Sequence, residues 1–141
     1  MARYLDQVFR WDMVERLERT IGVIKKYPGA TVMDIGAGFG RFIEPILKAG
    51  ASRIVAIEPA PKMVDVMQQL VSSRGLSNNV EIIQSTFLEL EIDESFDIVI
   101  AIGLYDYIKN PLPYLVKTKN ITKKTMIASF PIANTWRSYV R

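Results

Sequence analysis

A chain of 141 residues, 49% of them hydrophobic, holds enough apolar material for one compact core and too little for two, so a single domain is expected. Cysteine and histidine are both absent, which excludes disulfides and thiolate metal sites and removes the commonest general base and metal ligand; no metal is expected. The formal charge of +3 comes from scattered lysines and arginines without a dense basic run, which argues against nucleic acid as a partner. The opening stretch MARYLDQVFRWDMVERLERT is charged throughout, unlike a secretory signal, and no apolar run approaches the ~20 residues that cross a bilayer. A cytoplasmic protein with no membrane contact is the expectation.

Along the chain the hydrophobic period switches repeatedly. Val14, Leu17, Ile21 and Ile24 fall at helical spacing within residues 12–26, and Pro28 and Gly29 stop that helix. TVMDI (31–35) reads as a short buried strand, RFIEPILKAG as a helix ended by Gly50, and SRIVAIE as a second strand. PKMVDVMQQLVSSRG reads as a helix with Pro61 in its first turn and Gly75 at its end. VEIIQS, FDIVIAIG and KTMIASF supply three further apolar strands, the last two separated by a helix around PLPYLVKTKN. Strands apolar on both faces that alternate with helices require a parallel sheet covered on both sides, so the fold class is α/β, doubly wound and Rossmann-like.

The segment VMDIGAGFGRF (32–42) places Gly36, Gly38 and Gly40 at alternate positions where the first strand turns into a helix. In a doubly wound sheet this turn lies at the carboxyl edge, where ligands bind, and glycine lets a nucleotide-type ligand approach the backbone. The dinucleotide fingerprint G-x-G-x-x-G is not met, because its third glycine position holds Arg41, and the G-K-[ST] ending of a phosphate loop is missing too. A tight turn without a ligand is the plainer reading of the same glycines. Asp34, two residues before Gly36, sits where a carboxylate is costly to bury unless it serves the turn or a ligand's cation. Glu58 closes the second strand 20 residues after Gly38, where an acid accepts hydrogen bonds from ribose hydroxyls; a solvated strand end is the alternative.

VMDIGAGFG followed by IVAIEPA, VEIIQSTFLEL and FDIVIAIGLYDYI resembles the class I S-adenosylmethionine-dependent methyltransferases, and the likeness runs from about residue 4 to the fifth strand. The resemblance implies a sheet of order 3-2-1-4-5, with S-adenosyl-L-methionine (SAM) as cofactor and S-adenosyl-L-homocysteine (SAH) as product. It implies that Gly36, Gly38 and Gly40 make room for the methionine moiety while Asp34 orients their loop and the cofactor's amino group. Glu58 would hold the ribose hydroxyls, with Pro59 and Ala60 flanking the adenine. Ala101 to Tyr107, including Gly103, would run beside the methionine part toward the transferred methyl. Where many relatives carry Gly-Asp against the adenine amino group, this sequence has Ser85 and Thr86. Thr86 retains a hydroxyl acceptor there, and Phe87 is placed to stack on the purine.

Methyl transfer from a sulfonium is an in-line displacement that depends chiefly on alignment, so the lack of histidine is tolerable. Aromatic ring faces favour the sulfonium, and Tyr105 and Tyr107 lie in the methyl-proximal segment, where a core or lid role is the plainer reading. Asp106, the acid of that segment, is the candidate catalytic base for a hydroxyl acceptor, or else caps the following helix. In the leading helix, Arg10 or Arg16 is a candidate for the cofactor carboxylate, with plain surface charge as the alternative.

The expected function is methylation of a small-molecule acceptor without nucleic acid, with a non-catalytic cofactor-binding module and a nicotinamide oxidoreductase as rivals. The domain divides into a helical segment (1–30), a core (31–130) and a tail (131–141). The family's usual hairpin of strands six and seven has no counterpart before the sequence ends, so strand five is expected to form an apolar edge inviting self-association or a partner subunit. Trp136 to Arg141 would be the segment able to seal it.

Overall fold

The computed structural model describes residues 2–130, with side chains from residue 13 onward. In chain order the elements are α1 (Ala2–Ile24), β1 (Thr31–Ile35), α2 (Ile43–Lys48), β2 (Arg53–Ile57), α3 (Pro61–Ser73), β3 (Val80–Ile83), β4 (Phe96–Ala101), a 3-10 turn at Leu104–Asp106, α4 (Leu112–Ile121) and β5 (Thr122–Ala128). The five strands are parallel, in the order β3-β2-β1-β4-β5. This is the doubly wound α/β sheet that the alternation of periods predicts.

Strand side chains alternate between two cores. Val32, Ile54, Ala56, Ile98 and Ile100 pack with Ile24 of α1, Ile43 and Ile46 of α2, and Met67 and Val71 of α3. Met33, Ile35, Val55, Ile57 and Val99 pack on the other face with Ile121, Tyr114 and Leu115 of α4. Burying each such aliphatic side chain is worth about 1.5–3 kcal/mol, which is why no strand can shift by one residue without exchanging its two faces.

Two boundaries differ from the pattern-based expectation. The helix of 12–26 extends back to Ala2, and β5 begins at Thr122 rather than 124 because α4 runs into it without a loop, Thr122 serving as the helix C-cap. Pro111 at the N-cap and Pro113 in the first turn start α4 where a missing N–H costs no intrahelical bond.

The amino edge of the sheet is held by polar contacts. Asp97 accepts hydrogen bonds from the Thr31 N–H (2.9 Å) and Thr31 Oγ1 (3.1 Å) and pairs with Lys124 at 3.1 Å. Arg53 reaches Glu81 at 2.7 Å and Glu94 at 2.8 Å.

Among the described residues β5 is an edge strand, as expected, but its first half is not plainly apolar. Its register against β4 jumps from Phe96↔Thr122 to Ile98↔Thr125, a bulge that brings in one extra residue, and Lys123 and Lys124 are exposed there. A bulge and lysines are the devices by which natural edges resist pairing. Trp136 to Arg141 lie outside the described residues.

Candidate active site

β1 and β2 end side by side, with Asp34 opposite Ala56 and Ile35 opposite Ile57. The Ile57 carbonyl accepts from the N–H groups of both Gly36 (2.9 Å) and Ala37 (3.0 Å), folding the glycine turn back over the end of β2. Glu58 then fastens it: Oε2 accepts from the Gly38 N–H and Oε1 from the Ala60 N–H, each at 2.9 Å. Glu58 is only 8% exposed, and each of its oxygens keeps acceptor capacity for a further donor.

All three glycines have positive φ, but they meet different needs. A Cβ on Gly40 would lie 2.9 Å from Met67 Cγ and 3.0 Å from Ile43 Cδ1, so this glycine exists to seat α3 against the turn. A Cβ on Gly36 would stand 3.2 Å from Leu104 Cδ1, where the 3-10 turn leans on the loop. Around Gly38 a Cβ would meet nothing within 4 Å. At Gly38 the positive φ alone calls for glycine, and no protein atom within 4 Å of where a Cβ would stand fills the open space beside the Glu58 carboxylate.

Asp34 is 4% exposed, and no hydrogen bond reaches its carboxylate from the other described residues. Burial first, and the neighbouring Glu58 second, push its pKa from 3.8 up to about 7. The resemblance assigns Asp34 to orienting the glycine loop; here Glu58 and the Ile57 carbonyl do that, leaving Asp34 a buried acid in want of a cation.

Of the residues that the resemblance sets beside the adenine, Pro59 is exposed and Ala60 half-buried, with Ala60 tied to Glu58. The Thr86 hydroxyl donates to Glu89 Oε2. Phe87 departs from expectation: it is 3% exposed, its ring faces Tyr114 at 6.0 Å and carries the Lys117 ammonium 5.0 Å from its centroid. Its ring belongs to the core under the loop, because apolar burial outweighs an open stacking position, and it does not present a face to a purine.

Ala101 to Tyr107, which the resemblance sets toward the methyl, lie across the turn, with Leu104 against Gly36. Ala101 is fully buried, and its carbonyl accepts from the Ser129 N–H at 3.3 Å. The Gly103 N–H donates to Ser129 Oγ at 2.7 Å, and Arg16 of α1 donates to the same oxygen at 3.1 Å. Arg16 is thus brought to the carboxyl edge, whereas the side chain of Arg10 lies outside the described residues. Ser129 is a site residue that sequence reasoning missed, although a hydroxyl following the strand beside β4 is legible once the strand order is known. Tyr105 is 3% exposed and stacks on Phe130 at 4.6 Å, a core role; burial raises its phenol pKa. Tyr107 is 84% exposed. Asp106 is half-buried at the end of the 3-10 turn and does not cap α4, whose N-cap is Pro111.

A five-stranded parallel sheet of this order, with the glycine turn at the ends of its first two strands, defines a Rossmann-like α/β domain. Residues 32–124 match the family described as methyltransferase domain, and the chain belongs to that family, within the class I SAM-dependent methyltransferases. Its cofactor is SAM, and the nicotinamide alternative falls.

Among proteins of similar sequence are the tRNA U34 carboxymethyltransferase of Cellvibrio japonicus, 26% identical over 83% of this chain and 36% of that protein, and its Shewanella baltica namesake, 26% identical over 79% and 32%. The chain spans about a third of the length of these relatives. Among solved structures, magnesium protoporphyrin IX methyltransferase from Synechocystis PCC 6803 with bound SAM superposes with a TM-score of 0.76 at 20% identity, covering 89% of this chain and 62% of that one. A SAM-dependent methyltransferase from Thiobacillus denitrificans in complex with SAH gives 0.70 at 15%, covering 81% and 47%. These two share the fold. Against the tRNA-directed relatives, the expectation of a small-molecule acceptor and no nucleic acid does not stand. Net charge sums the whole surface, whereas contacts to an acceptor are local, so a scattered +3 excludes nothing.

Proposed function

We propose that this domain transfers a methyl group from SAM to a nucleic acid acceptor of the tRNA kind, in the cytoplasm, with residues 31–130 as the cofactor-binding core and 1–30 as a helical segment laid against it. The observation that carries the cofactor seat is the open space at Gly38 beside the Glu58 carboxylate. The names of the sequence relatives support the acceptor class.

When bound, the cofactor supplies an electrophilic methyl on a sulfonium, an activated leaving group. Glu58 accepts hydrogen bonds from the ribose hydroxyls while still holding Gly38 and Ala60. Asp34 ionises to pair with the methionine ammonium, and Gly36 and Gly40 set the turn that brings both acids together. Pro59, Ala60 and Thr86 border the adenine. Ala101 and Gly103 line the path to the methyl, where the tie from Gly103 to Ser129 and Arg16 fixes the backbone. Asp106 accepts the acceptor's proton. Most of the acceleration comes from alignment, which fixed backbone supplies.

The test is incubation of the protein with SAM and an unmodified tRNA transcript, followed by nucleoside mass spectrometry, alongside a calorimetric SAH titration. A methylated nucleoside with measurable SAH affinity is the expected result. SAH binding without a modified nucleoside would replace the enzyme with a cofactor-binding module; a carboxymethylated one would change the transferred group; absence of SAH binding would remove the cofactor reading.

A further inference from the structure

Phe39 lies between Gly38 and Gly40 in the middle of the cofactor turn, a position whose backbone needs make a large side chain unnecessary. Its ring is 42% exposed and joins neither hydrophobic core. Arg41 places its guanidinium carbon 5.1 Å from the ring centroid, so the two form a cation–π pair at the rim of the site.

The pairing of Arg41 separates it from Arg19, Arg53 and Arg74. Arg19 pairs with Glu15, Arg53 with Glu81 and Glu94, and Arg74 with Glu44. Arg41, itself exposed, pairs with no carboxylate among the described residues. An exposed aromatic face next to an uncompensated guanidinium, one residue from the ligand cradle, is a surface for something flat and anionic. An exposed phenylalanine alone is ordinary. The pairing, and its place on the cofactor turn, is what carries the inference.

Resting on the nucleic acid reading above, we infer that Phe39 and Arg41 form a platform on which an unpaired base of the acceptor RNA stacks while Arg41 meets its phosphate. Single-stranded RNA is recognised by this combination of ring stacking and cationic contact, and a base out of its helix is what a transferase needs to reach. Tyr107, 84% exposed on the loop that follows Leu104, stands on the same carboxyl edge, since Leu104 abuts Gly36. The platform therefore shares the carboxyl edge of the sheet with Tyr107.

Fluorescence anisotropy of a labelled tRNA anticodon stem-loop against SAH-saturated protein tests this, with calorimetric SAH affinity measured for every variant. Phe39→Ala is expected to weaken RNA binding by roughly ten- to a hundredfold with SAH affinity unchanged, and Phe39→Trp to retain it. Arg41→Ala is expected to weaken binding and flatten its salt dependence by about one phosphate contact. Variants that bind RNA as tightly as the parent would overturn the platform while leaving the acceptor reading intact. Loss of SAH affinity in Phe39→Ala would overturn it by assigning the ring to the cofactor. A parent protein that binds SAH but no RNA would overturn the acceptor reading and the platform with it.

Discussion

Glu58 links cofactor recognition to the shape of the glycine turn, because the oxygens proposed to meet the ribose are also those that hold the Gly38 and Ala60 N–H groups at 2.9 Å. Glu58→Ala is expected to weaken SAH binding by about 1–3 kcal/mol, the scale of a hydrogen bond to a charged group, as read by calorimetry. Gly38→Val should abolish that binding, since its side chain fills the open space beside the Glu58 carboxylate. In the ligand-free protein the same change meets no neighbour within 4 Å and costs only the strain of a β-branched residue at φ +58°, about 1–2 kcal/mol. A Gly38→Val protein that folds and still binds SAH would place the ligand elsewhere.

Asp34 makes stability depend on pH. Its folded pKa of about 7 lies above the ordinary 3.8, so the folded chain keeps a proton that the unfolded chain releases. Its contribution is intact below 3.8 and is lost as the pH climbs to about 7. Denaturant melts of the parent and of Asp34→Asn across this window should show a decline in the parent that the variant lacks. SAH affinity should move the other way in the parent, rising toward pH 7 as the carboxylate becomes available to the ligand's ammonium. Such behaviour was half legible beforehand: an acid ending an apolar strand advertises burial, but that Glu58 would take over the loop amides depends on contacts across 20 residues.

At the scale of elements, the sequence pattern reveals strands and helices better than their joints. The two apolar periods identified every strand, since a parallel sheet buried on both faces leaves continuous runs such as FDIVIA. The direct passage of α4 into β5 carries no turn residue to announce it. Phe87 shows a related difficulty: a buried ring and a stacking ring look alike in a sequence, and only the packing against Tyr114 distinguishes them.

The clasp between α4 and the turn after β3 has no local signal at all. Lys117 Nζ donates to the carbonyls of Phe87 at 2.6 Å, Leu88 at 3.1 Å and Leu90, so one ammonium closes a turn some 30 residues away. Lys117→Met should lower stability by about 1–3 kcal/mol in denaturant melts and speed amide exchange at residues 86–90. Because Thr86 lies in that turn, SAH binding should weaken modestly in the same variant.

For the whole molecule, a ligand that binds only the folded state stabilises it by mass action. SAH at ~100 times its dissociation constant should add roughly 2.7 kcal/mol and raise the unfolding midpoint by roughly 10 °C for a chain of this size. No shift at millimolar SAH would contradict the cofactor assignment. The acceptor was the part least legible in the sequence, because the residues proposed to meet it, Phe39 and Arg41, obey no period and stand out only against their neighbours' burial and pairing.

The contacts of Asp97 with Thr31 and Lys124, and of Arg53 with Glu81 and Glu94, all lie at the amino ends of the strands. Side-chain ties at the amino rim thus join strand to strand, whereas at the carboxyl rim Glu58 and Ser129 hold the backbone of the loops. Loop exchange at the carboxyl rim would leave these ties in place, whereas substitutions at the amino rim would remove side-chain contacts that reach all five strands.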